Sequence, residues 1–232
     1  MYRYLFFDAD GTLFDFDEAE TRAFHQMASK LGFSATHKQL QNYKACNEAC
    51  WKAFERSELT QAALKTKRFE DFFASEGLSL DPNLASKTYQ GYLSEQGILY
   101  QESLPLLDAL IERGYTLYLA SNGIAEVQRG RLAQSETNRY FKDIFISEEI
   151  GAQKPDSQFF SAMFERTGLE AKKSECLMIG DSLSSDIQGG LSYGMDTLWL
   201  NMKGAHKNTT AIKATYEMHS LTEMLVLFVS LY

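Results

Sequence analysis

The feature that most constrains the fold is a set of short apolar runs, each of which ends in a polar residue or a turn. Four of these runs are clear, at residues 4–7, 117–120, 176–179 and 197–200. Continuous apolar runs of this length, separated by helical patterns, are typical of parallel strands that are buried on both faces. A fifth candidate strand lies at residues 143–147.

Helical patterns fill the intervals between these runs. Leu104, Leu107 and Leu110 recur at helical spacing before Gly114, which is a typical helix end. Ser220 and Glu223 predict a capping box at the start of a last helix. The alternation of strands and helices from about residue 98 onward predicts an α/β fold with an open, doubly wound, mostly parallel sheet.

Residues 17–97 have a different pattern. The segments 18–31, 39–56 and 59–73 have helical periodicity, and none of the interval has the pattern of a buried strand. We therefore predict an all-helical domain at 17–97. It is inserted into an α/β core domain formed by residues 1–16 and 98–232.

Composition and charge exclude several classes of protein. The chain has 232 residues, of which 44% are hydrophobic and 23% charged, and this is ordinary for a protein with a packed core. A formal net charge of −8 argues against binding to a nucleic acid polymer, which requires a basic face. Three cysteines, without a closely spaced set of metal ligands, argue against a disulfide scaffold and against structural zinc.

Two apolar segments raise the question of membrane targeting. The segment 224–229 is far shorter than the roughly 20 residues that span a bilayer. The apolar run after Arg3 is interrupted by Asp8 and Asp10, so it does not fit a secretory signal. We therefore expect a cytoplasmic protein with no membrane partner.

The first candidate functional residues are Asp8 and Asp10, which follow the first apolar run. Ligands of such sheets bind at the carboxyl ends of the strands, and residues two apart in extended chain point to the same side. Two neighbouring carboxylates resist joint ionisation unless a cation binds or one of them keeps a proton. The pair therefore suits a metal site with a general acid, although the same residues are also good formers of a solvated turn.

A second acidic pair, Asp181 and Asp186, follows the run at 176–179. Ser184 or Ser185 is positioned to cap the next helix, with Asp186 in its first turn. The pair then has two interpretations. Either the carboxylates only favour the helix dipole, or they complete with Asp8 an oxygen-rich site that suits Mg²⁺ rather than zinc.

Two further segments offer contacts for phosphate. Ser121 and Asn122 follow the run at 117–120 and supply a hydroxyl, an amide and main-chain N–H groups. Lys154 precedes Pro155, which restricts the backbone and could present the ammonium inward as a positive charge. Taken separately, a Ser-Asn-Gly turn and a solvated loop lysine are the ordinary alternatives.

Taken together and in order, these segments resemble the four motifs of the haloacid dehalogenase (HAD) superfamily. The matching segments are residues 8–13 (DADGTL), 121–123 (SNG), 154–156 (KPD) and 180–186 (GDSLSSD). The match spans nearly the whole chain, and the helical insertion after the first motif resembles the superfamily's helical cap domain.

The resemblance implies a Mg²⁺-dependent phosphatase and a role for each matching residue. Asp8 would be the nucleophile that forms an aspartyl-phosphate, and Asp10 would be the general acid and then the general base. Ser121 and Asn122 would bind the phosphoryl group, and Lys154 would neutralise the charge around it.

It also implies a set of metal ligands. Asp8, the main-chain carbonyl of Asp10, and Asp181 would hold Mg²⁺, and Asp186 would support the metal directly or through water. These roles fit a reaction that depends on positioning and charge neutralisation.

Within this superfamily, four further segments are similar to bacterial pyrimidine 5′-nucleotidases. They are residues 15–17 (DFD), 145–151 (FISEEIG), 185–190 (SDIQGG) and 199–201 (WLN). The resemblance implies that the substrate is a small-molecule phosphate monoester, specifically a nucleoside 5′-monophosphate.

Rival functions stay open at this point. A sugar-phosphate phosphatase or a phosphomutase would share all four motifs. A haloacid dehalogenase would need neither Asp10 nor the acidic pair Asp181 and Asp186. A receiver-like signalling module would be shorter and would have no helical insertion, and a non-catalytic binding protein would not need the complete acid and base set.

Overall fold

The structure, a computed structural model, describes residues 2–202 and 211–230. Within these residues six strands form one sheet: β1 Tyr4–Phe7, β2 Thr116–Ser121, β3 Phe141–Ile146, β4 Cys176–Gly180, β5 Asp196–Leu200 and β6 Tyr216–Met218. Their order is β3-β2-β1-β4-β5-β6, and every neighbouring pair is parallel. The α/β fold and the five predicted strands are confirmed, and β6 is a strand that we did not predict.

The strand order places a topological switch point beside β1. The chain passes from β1 to β2 and β3 on one side of the sheet, and then crosses to β4, β5 and β6 on the other. Phe7 of β1 is in register with Leu119 of β2 and Ile179 of β4. The carboxyl ends of these three strands therefore lie together, where ligands of doubly wound sheets bind.

The central strands are apolar because both faces of the sheet are covered. All five residues of β4 are buried. On one face Phe6 stacks on Tyr118, with ring centroids 4.7 Å apart, and on Phe164 of a covering helix at 5.8 Å. Strands buried on both faces have no polar alternation, which explains the continuous apolar runs in the sequence.

Ten α-helices lie within the described residues. They are α1 Phe16–Leu31, α2 His37–Glu55, α3 Gln61–Glu76, α4 Pro82–Ser94, α5 Ser103–Glu112, α6 Ala125–Gln134, α7 Ser147–Ile150, α8 Ser157–Thr167, α9 Gln188–Tyr193 and α10 Leu221–Ser230. The helical segments predicted at 18–31, 39–56 and 59–73 are confirmed as α1, α2 and α3. None of the helices in the described ranges is both long and apolar enough to cross a bilayer.

Contacts divide the chain into two compact units. The first comprises the chain up to Phe16, Ile98–Ala125 and the chain from Ser135 onward, and the second comprises Asp17–Gly97 and Glu126–Gln134. The predicted boundaries had assigned residues 126–134 to the α/β core, whereas α6 packs with the helices. That the helical unit is a cap domain stays a prediction.

Close packing explains why α6 belongs to the second unit. A Cβ atom on Gly130 would lie 2.7 Å from the main-chain oxygen of Ser94, so a larger residue would push α6 away from α4. Arg131 Nε also donates a hydrogen bond to the main-chain oxygen of Gln96 at 3.1 Å.

The interior of the second unit is aromatic. Phe24 stacks on Tyr43 with ring centroids 5.0 Å apart, and Tyr43 stacks on Phe69 at 5.3 Å. Aromatic pairs of this kind supply most of the apolar area that a small helical unit can bury.

Of the two hydrogen bonds in the capping box predicted for the last helix, the one accepted by Ser220 is confirmed. Ser220 Oγ accepts a hydrogen bond from the main-chain N–H of Glu223 at 3.1 Å. The carboxylate of Glu223 accepts from the main-chain N–H of His219 at 2.7 Å, one residue earlier than in a standard capping box.

Candidate active site

Asp8 stands directly after β1, at the switch point of the sheet. Its main-chain N–H donates to the oxygen of Ile179 at 2.8 Å, which extends the pairing of β1 with β4 by one residue. The chain then turns sharply, because the carbonyl of Ala9 accepts from the N–H groups of Leu13 at 3.0 Å and Phe14 at 2.9 Å. This turn leaves the buried carboxylate of Asp8 at the carboxyl edge of the sheet.

Glycine is required at position 11 for two reasons. Gly11 has a φ of +80°, which L side chains rarely adopt, and a Cβ atom there would lie 2.3 Å from Oδ2 of Asp181. The lack of a side chain at Gly11 in the first motif therefore leaves room for the side chain of Asp181, which follows β4.

Lys154 is brought into the centre of the site by the loop between α7 and α8. Its side chain is 1% exposed, and Nζ donates to Oδ1 of Asp8 at 2.7 Å and to Oδ1 of Asp186 at 2.6 Å. A third hydrogen bond runs to the main-chain oxygen of Ala120 at 2.5 Å. An ammonium group has three protons, so all its donors are used.

Asn122 holds the main chain of Lys154. Its Nδ2 donates to the oxygen of Lys154 at 2.8 Å, and its Oδ1 accepts from the N–H of Lys154 at 2.8 Å. The amide thus forms a paired contact with the loop that carries the cation. A direct contact of Asn122 with phosphate stays a prediction.

Ser121 ends β2 and is buried. Its Oγ accepts from the N–H of Gly123 at 3.0 Å, so the hydroxyl also shapes the turn after the strand. Two residues of α7 that were not predicted as part of the site also brace this turn. Ser147 Oγ donates to the oxygen of Asn122 at 3.0 Å, and Glu148 Oε2 accepts from the N–H of Ala125 at 2.8 Å. Both lie in the FISEEIG segment, whose resemblance to nucleotidases was the available signal.

Three carboxylates form one acidic group at the strand ends. One oxygen from each of Asp8, Asp181 and Asp186 lies within 4.8 Å of the others. Asp186 is 1% exposed, and its Oδ2 also accepts from the N–H of Ser182 at 3.1 Å. A Cβ atom on Gly180 would lie 2.2 Å from that oxygen, so the glycine before Asp181 makes room for Asp186.

The cap of the turn that carries Asp186 differs from our prediction. We expected Ser184 or Ser185 to cap a helix, but the cap is Ser182, whose Oγ accepts from the N–H of Ser185 at 3.2 Å. The segment Leu183–Ile187 forms a π-helical turn, so the chain begins to wind earlier than the serine spacing indicated. Asp186 lies in its first turn, as predicted.

Electrostatics show that this acidic group is short of positive charge. Burial raises the pKa of Asp8 to about 7, an effect that Lys154 partly offsets and that Asp186 and Asp10 reinforce. Burial opposes the charge on Lys154, but Asp186 and Asp8 outweigh it and raise the pKa of the ammonium.

Asp181 shows the same shortage of positive charge. Desolvation, followed by repulsion from Asp8 and Asp186, raises the pKa of Asp181 well above its usual range. Asp181 is the exposed member of the group. One lysine therefore does not balance the carboxylates, and the all-oxygen donor set fits a hard divalent cation such as Mg²⁺.

Asp10 has a different position from these three. It is half-buried, and its charge contributes to the raised pKa of Asp8. Among the described residues, the group of carboxylates close enough to share one ion includes Asp8, Asp181 and Asp186 but not the side chain of Asp10. Proton transfer by the carboxyl of Asp10, and metal binding by its main-chain carbonyl, both stay predictions.

The chain is similar in sequence to known proteins. The model of the haloacid dehalogenase-like hydrolase family matches residues 2–194. The chain is 40% identical over 224 residues to the pyrimidine 5′-nucleotidase PynA of Streptococcus pneumoniae, which covers 97% of this chain and 94% of PynA. It is 31% identical to the pyrimidine 5′-nucleotidase YjjG of Escherichia coli, over 95% of each chain.

A solved structure agrees with the fold over its full length. The HAD-hydrolase YfnB of Bacillus subtilis, crystallised with magnesium bound, has a TM-score of 0.90 and 33% identity, covering 98% of this chain and 99% of YfnB. The family match, these relatives and the order of the four motifs lead to one conclusion: the chain belongs to the haloacid dehalogenase-like hydrolases.

Proposed function

We propose that this hydrolase removes phosphate from nucleoside 5′-monophosphates, with pyrimidine nucleotides as the preferred class. The observation that carries the proposal is the buried contact of Lys154 with Asp8 beside a group of three carboxylates. This arrangement combines a nucleophile, a fixed positive charge and donors for a cation at one strand edge. Phosphoryl transfer depends on such positioning and charge neutralisation.

The reaction takes place in two steps on Asp8. In the first, a carboxylate oxygen of Asp8 bonds to phosphorus while the ester bond breaks, and Asp10 gives a proton to the departing oxygen. In the second, Asp10 takes a proton from water, which attacks the aspartyl-phosphate, releases inorganic phosphate and restores Asp8.

The other residues hold charge and geometry during both steps. Lys154 neutralises the charge that gathers between Asp8 and the phosphoryl oxygens, and its three hydrogen bonds keep it in place. We assign Ser121 to the phosphoryl group, which it reaches from the end of β2. Asn122 contributes by holding the main chain of Lys154.

A Mg²⁺ ion fits the acidic group. Asp8 and Asp181 would hold it, with the main-chain carbonyl of Asp10 as a further ligand and Asp186 in support, directly or through water. When bound, it would relieve the repulsion among the carboxylates and neutralise the negative charge of the phosphate. The magnesium recorded for YfnB supports this assignment.

The relatives support the choice of substrate. PynA and YjjG are both pyrimidine 5′-nucleotidases, and each aligns with this chain over nearly its full length. This sequence similarity covers both the α/β core and the helical segments. It therefore includes the regions that would select the group attached to phosphate.

The proposal is tested by phosphate release from a panel of monophosphates. The panel contains UMP, dTMP and CMP, the matching purine nucleotides and several hexose phosphates, each with Mg²⁺ and with EDTA. We expect the pyrimidine nucleotides to have the highest kcat/KM and EDTA to abolish release. Preference for hexose phosphates would overturn the nucleotidase assignment, and isomerised sugar without free phosphate would indicate a phosphomutase. No release from any substrate would overturn the phosphatase itself.

A further inference from the structure

Trp199 contacts the main chain of Asp181 from the neighbouring strand. It lies in β5, in register with Gly180 at the end of β4, and it is 2% exposed. Its indole Nε1 donates a hydrogen bond of 2.8 Å to the main-chain oxygen of Asp181. A buried tryptophan thus uses its single polar side-chain atom on the first acidic residue of the fourth motif.

The peptide unit between Asp181 and Ser182 is held at both of its polar groups. Trp199 binds the carbonyl of Asp181, and Asp186 Oδ2 accepts from the N–H of Ser182 at 3.1 Å. Because a peptide unit is planar, two hydrogen bonds at opposite ends fix its orientation. Because β4 holds the preceding residue, Gly180, the backbone is restrained on both sides of Asp181, and this limits the direction in which its side chain leaves the main chain.

Asp181 is the acidic residue that most needs this support. Asp186 is 1% exposed, and its two carboxylate oxygens accept hydrogen bonds from Lys154 and Ser182. Asp181 is exposed, so neighbouring side chains enclose it less and its position depends more on the main chain. An aliphatic residue at position 199 would still fill the sheet, but it would leave this carbonyl without its indole donor.

We propose that Trp199 is a positioning residue for the divalent cation, acting through the main chain of Asp181. This inference rests on the proposed function, in which Asp181 is a metal ligand. Removing the indole N–H weakens cation binding because Asp181 must then be ordered at the moment of binding. Catalysis with the ion in place is less affected, since Trp199 touches neither Asp8 nor Lys154 in the described contacts.

The test is the Mg²⁺ affinity of Trp199→Phe, measured by isothermal titration calorimetry without substrate. We expect the Kd to rise by about three- to tenfold, as for the loss of one hydrogen bond, and kcat to return close to the wild-type value at saturating Mg²⁺. Trp51→Phe is the matched control. Trp51 lies in α2 of the helical unit, where it packs edge-on against Phe54, and we expect its loss to leave the Kd unchanged. Equal Kd values for the two variants would overturn the inference.

A second measurement does not depend on the folding of Trp199→Phe. The chain has two tryptophans, so Trp51→Phe leaves Trp199 as its single indole fluorophore. We expect Mg²⁺ to change the emission of Trp199 with the Kd found by calorimetry, and an emission unaffected by saturating Mg²⁺ would overturn the inference.

The two proposals fail in different ways. A protein that binds Mg²⁺ but releases no phosphate from nucleotides overturns the proposed function and leaves the role of Trp199 measurable. A wild-type protein that binds no Mg²⁺ overturns the role of Trp199, whatever its substrate.

Discussion

Two of the buried cations, one from each unit, are held in contrasting ways. Lys154 in the α/β unit and Arg68 in the helical unit are each 1% exposed. Lys154 donates to two carboxylates and a carbonyl, so its charge is balanced and each of its protons has an acceptor.

Arg68 is held mostly by aromatic rings. Its guanidinium carbon lies 5.2 Å from the ring centroid of Phe69 and 4.9 Å from that of Tyr89. Its Nη1 donates to Oδ1 of Asn47 at 3.1 Å, whereas Nε and Nη2 have no hydrogen-bond partner within the described residues. Asn47 in turn donates to the buried Glu20 at 2.7 Å, so the amide separates the guanidinium from the carboxylate.

The difference supports the assignment of Lys154 as the buried charge that the proposed chemistry uses. A charge that is completely hydrogen-bonded at a strand edge is pre-organised for an anionic substrate. A charge that rests on ring faces with unpaired donors contributes packing, and its desolvation offsets part of its attraction to the rings. Substitutions in the two units should therefore have unequal effects.

The largest expected effect comes from removing the nucleophile that faces Lys154. Asp8→Asn keeps the shape of the side chain, but an amide does not form an aspartyl-phosphate. We expect phosphate release to fall on the order of 10⁴-fold or more, with the far-UV circular dichroism unchanged, because Asp186 and Ala120 still hold Lys154. Phosphate release from UMP, followed with a phosphate-binding dye, measures the change. Retention of substantial activity would contradict the assignment of Asp8.

Lys154→Met should have the next largest effect, this time on stability. The substitution removes one partner of a buried ion pair and leaves Asp8 and Asp186 uncompensated. We expect the free energy of unfolding to fall by about 3–5 kcal/mol at pH 7.5 in urea titrations.

Arg68→Met is the matched substitution in the helical unit. The thioether fits between the rings of Phe69 and Tyr89, and the one hydrogen bond lost is that to Asn47. We expect the free energy of unfolding to change by at most about 2 kcal/mol. Equal losses in the two variants would mean that the completeness of hydrogen bonding does not distinguish the two sites.

Glu20 gives the helical unit a pH dependence. Burial raises the pKa of Glu20 to about 7, an effect that Lys44 and Asn47 partly offset. Well below pH 4.5, the ordinary pKa of a Glu side chain, the carboxyl is protonated in both the folded and the unfolded state. Between that pH and 7 the unfolded chain ionises first, so stability falls as the pH rises. Above pH 7 the loss is complete, at up to about 3 kcal/mol.

Glu20→Gln removes this titration but keeps an oxygen that accepts from Asn47. We expect the variant to be more stable than the wild type at pH 8, with the difference vanishing near pH 4.5. Urea unfolding at intervals of half a pH unit gives the curve. Glu18→Gln, at the surface of the same helix, controls for the loss of a negative charge. A difference that did not depend on pH would contradict the prediction.

Much of the site was predictable because its residues follow strands that are themselves easy to recognise. Asp8 and Ser121 come directly after an apolar run and Asp181 one residue after another, and parallel strands bring their carboxyl ends to one edge. The position of Lys154 followed from the resemblance, and the structure shows its ammonium buried between Asp8 and Asp186.

Other features depend on contacts that local sequence does not encode. Asn122 and Lys154 are 32 residues apart, and Trp199 and Asp181 are 18 apart, so their hydrogen bonds depend on how the strands and loops are arranged. The bounds of helix α4 were not predicted within the all-helical interval, although Asp81 caps it and Pro82 is its first residue. Strand β6 was missed because it has three residues and no buried run.

The smallest expected effect concerns Asn122, where the sequence and the structure indicate different roles. Asn122→Ala removes both hydrogen bonds to the main chain of Lys154, but the ammonium keeps its three acceptors. We expect kcat to fall about tenfold, the equivalent of one to two hydrogen bonds, with KM and inhibition by inorganic phosphate nearly unchanged. Steady-state kinetics with UMP and phosphate as inhibitor separate these quantities, and Asn138→Ala, at an exposed position of the same unit, is the control. A rise in KM and in the inhibition constant of phosphate at constant kcat would instead mean that the amide contacts the phosphoryl group directly. In that case Lys154 would keep its position without the hydrogen bonds that Asn122 makes to its main chain.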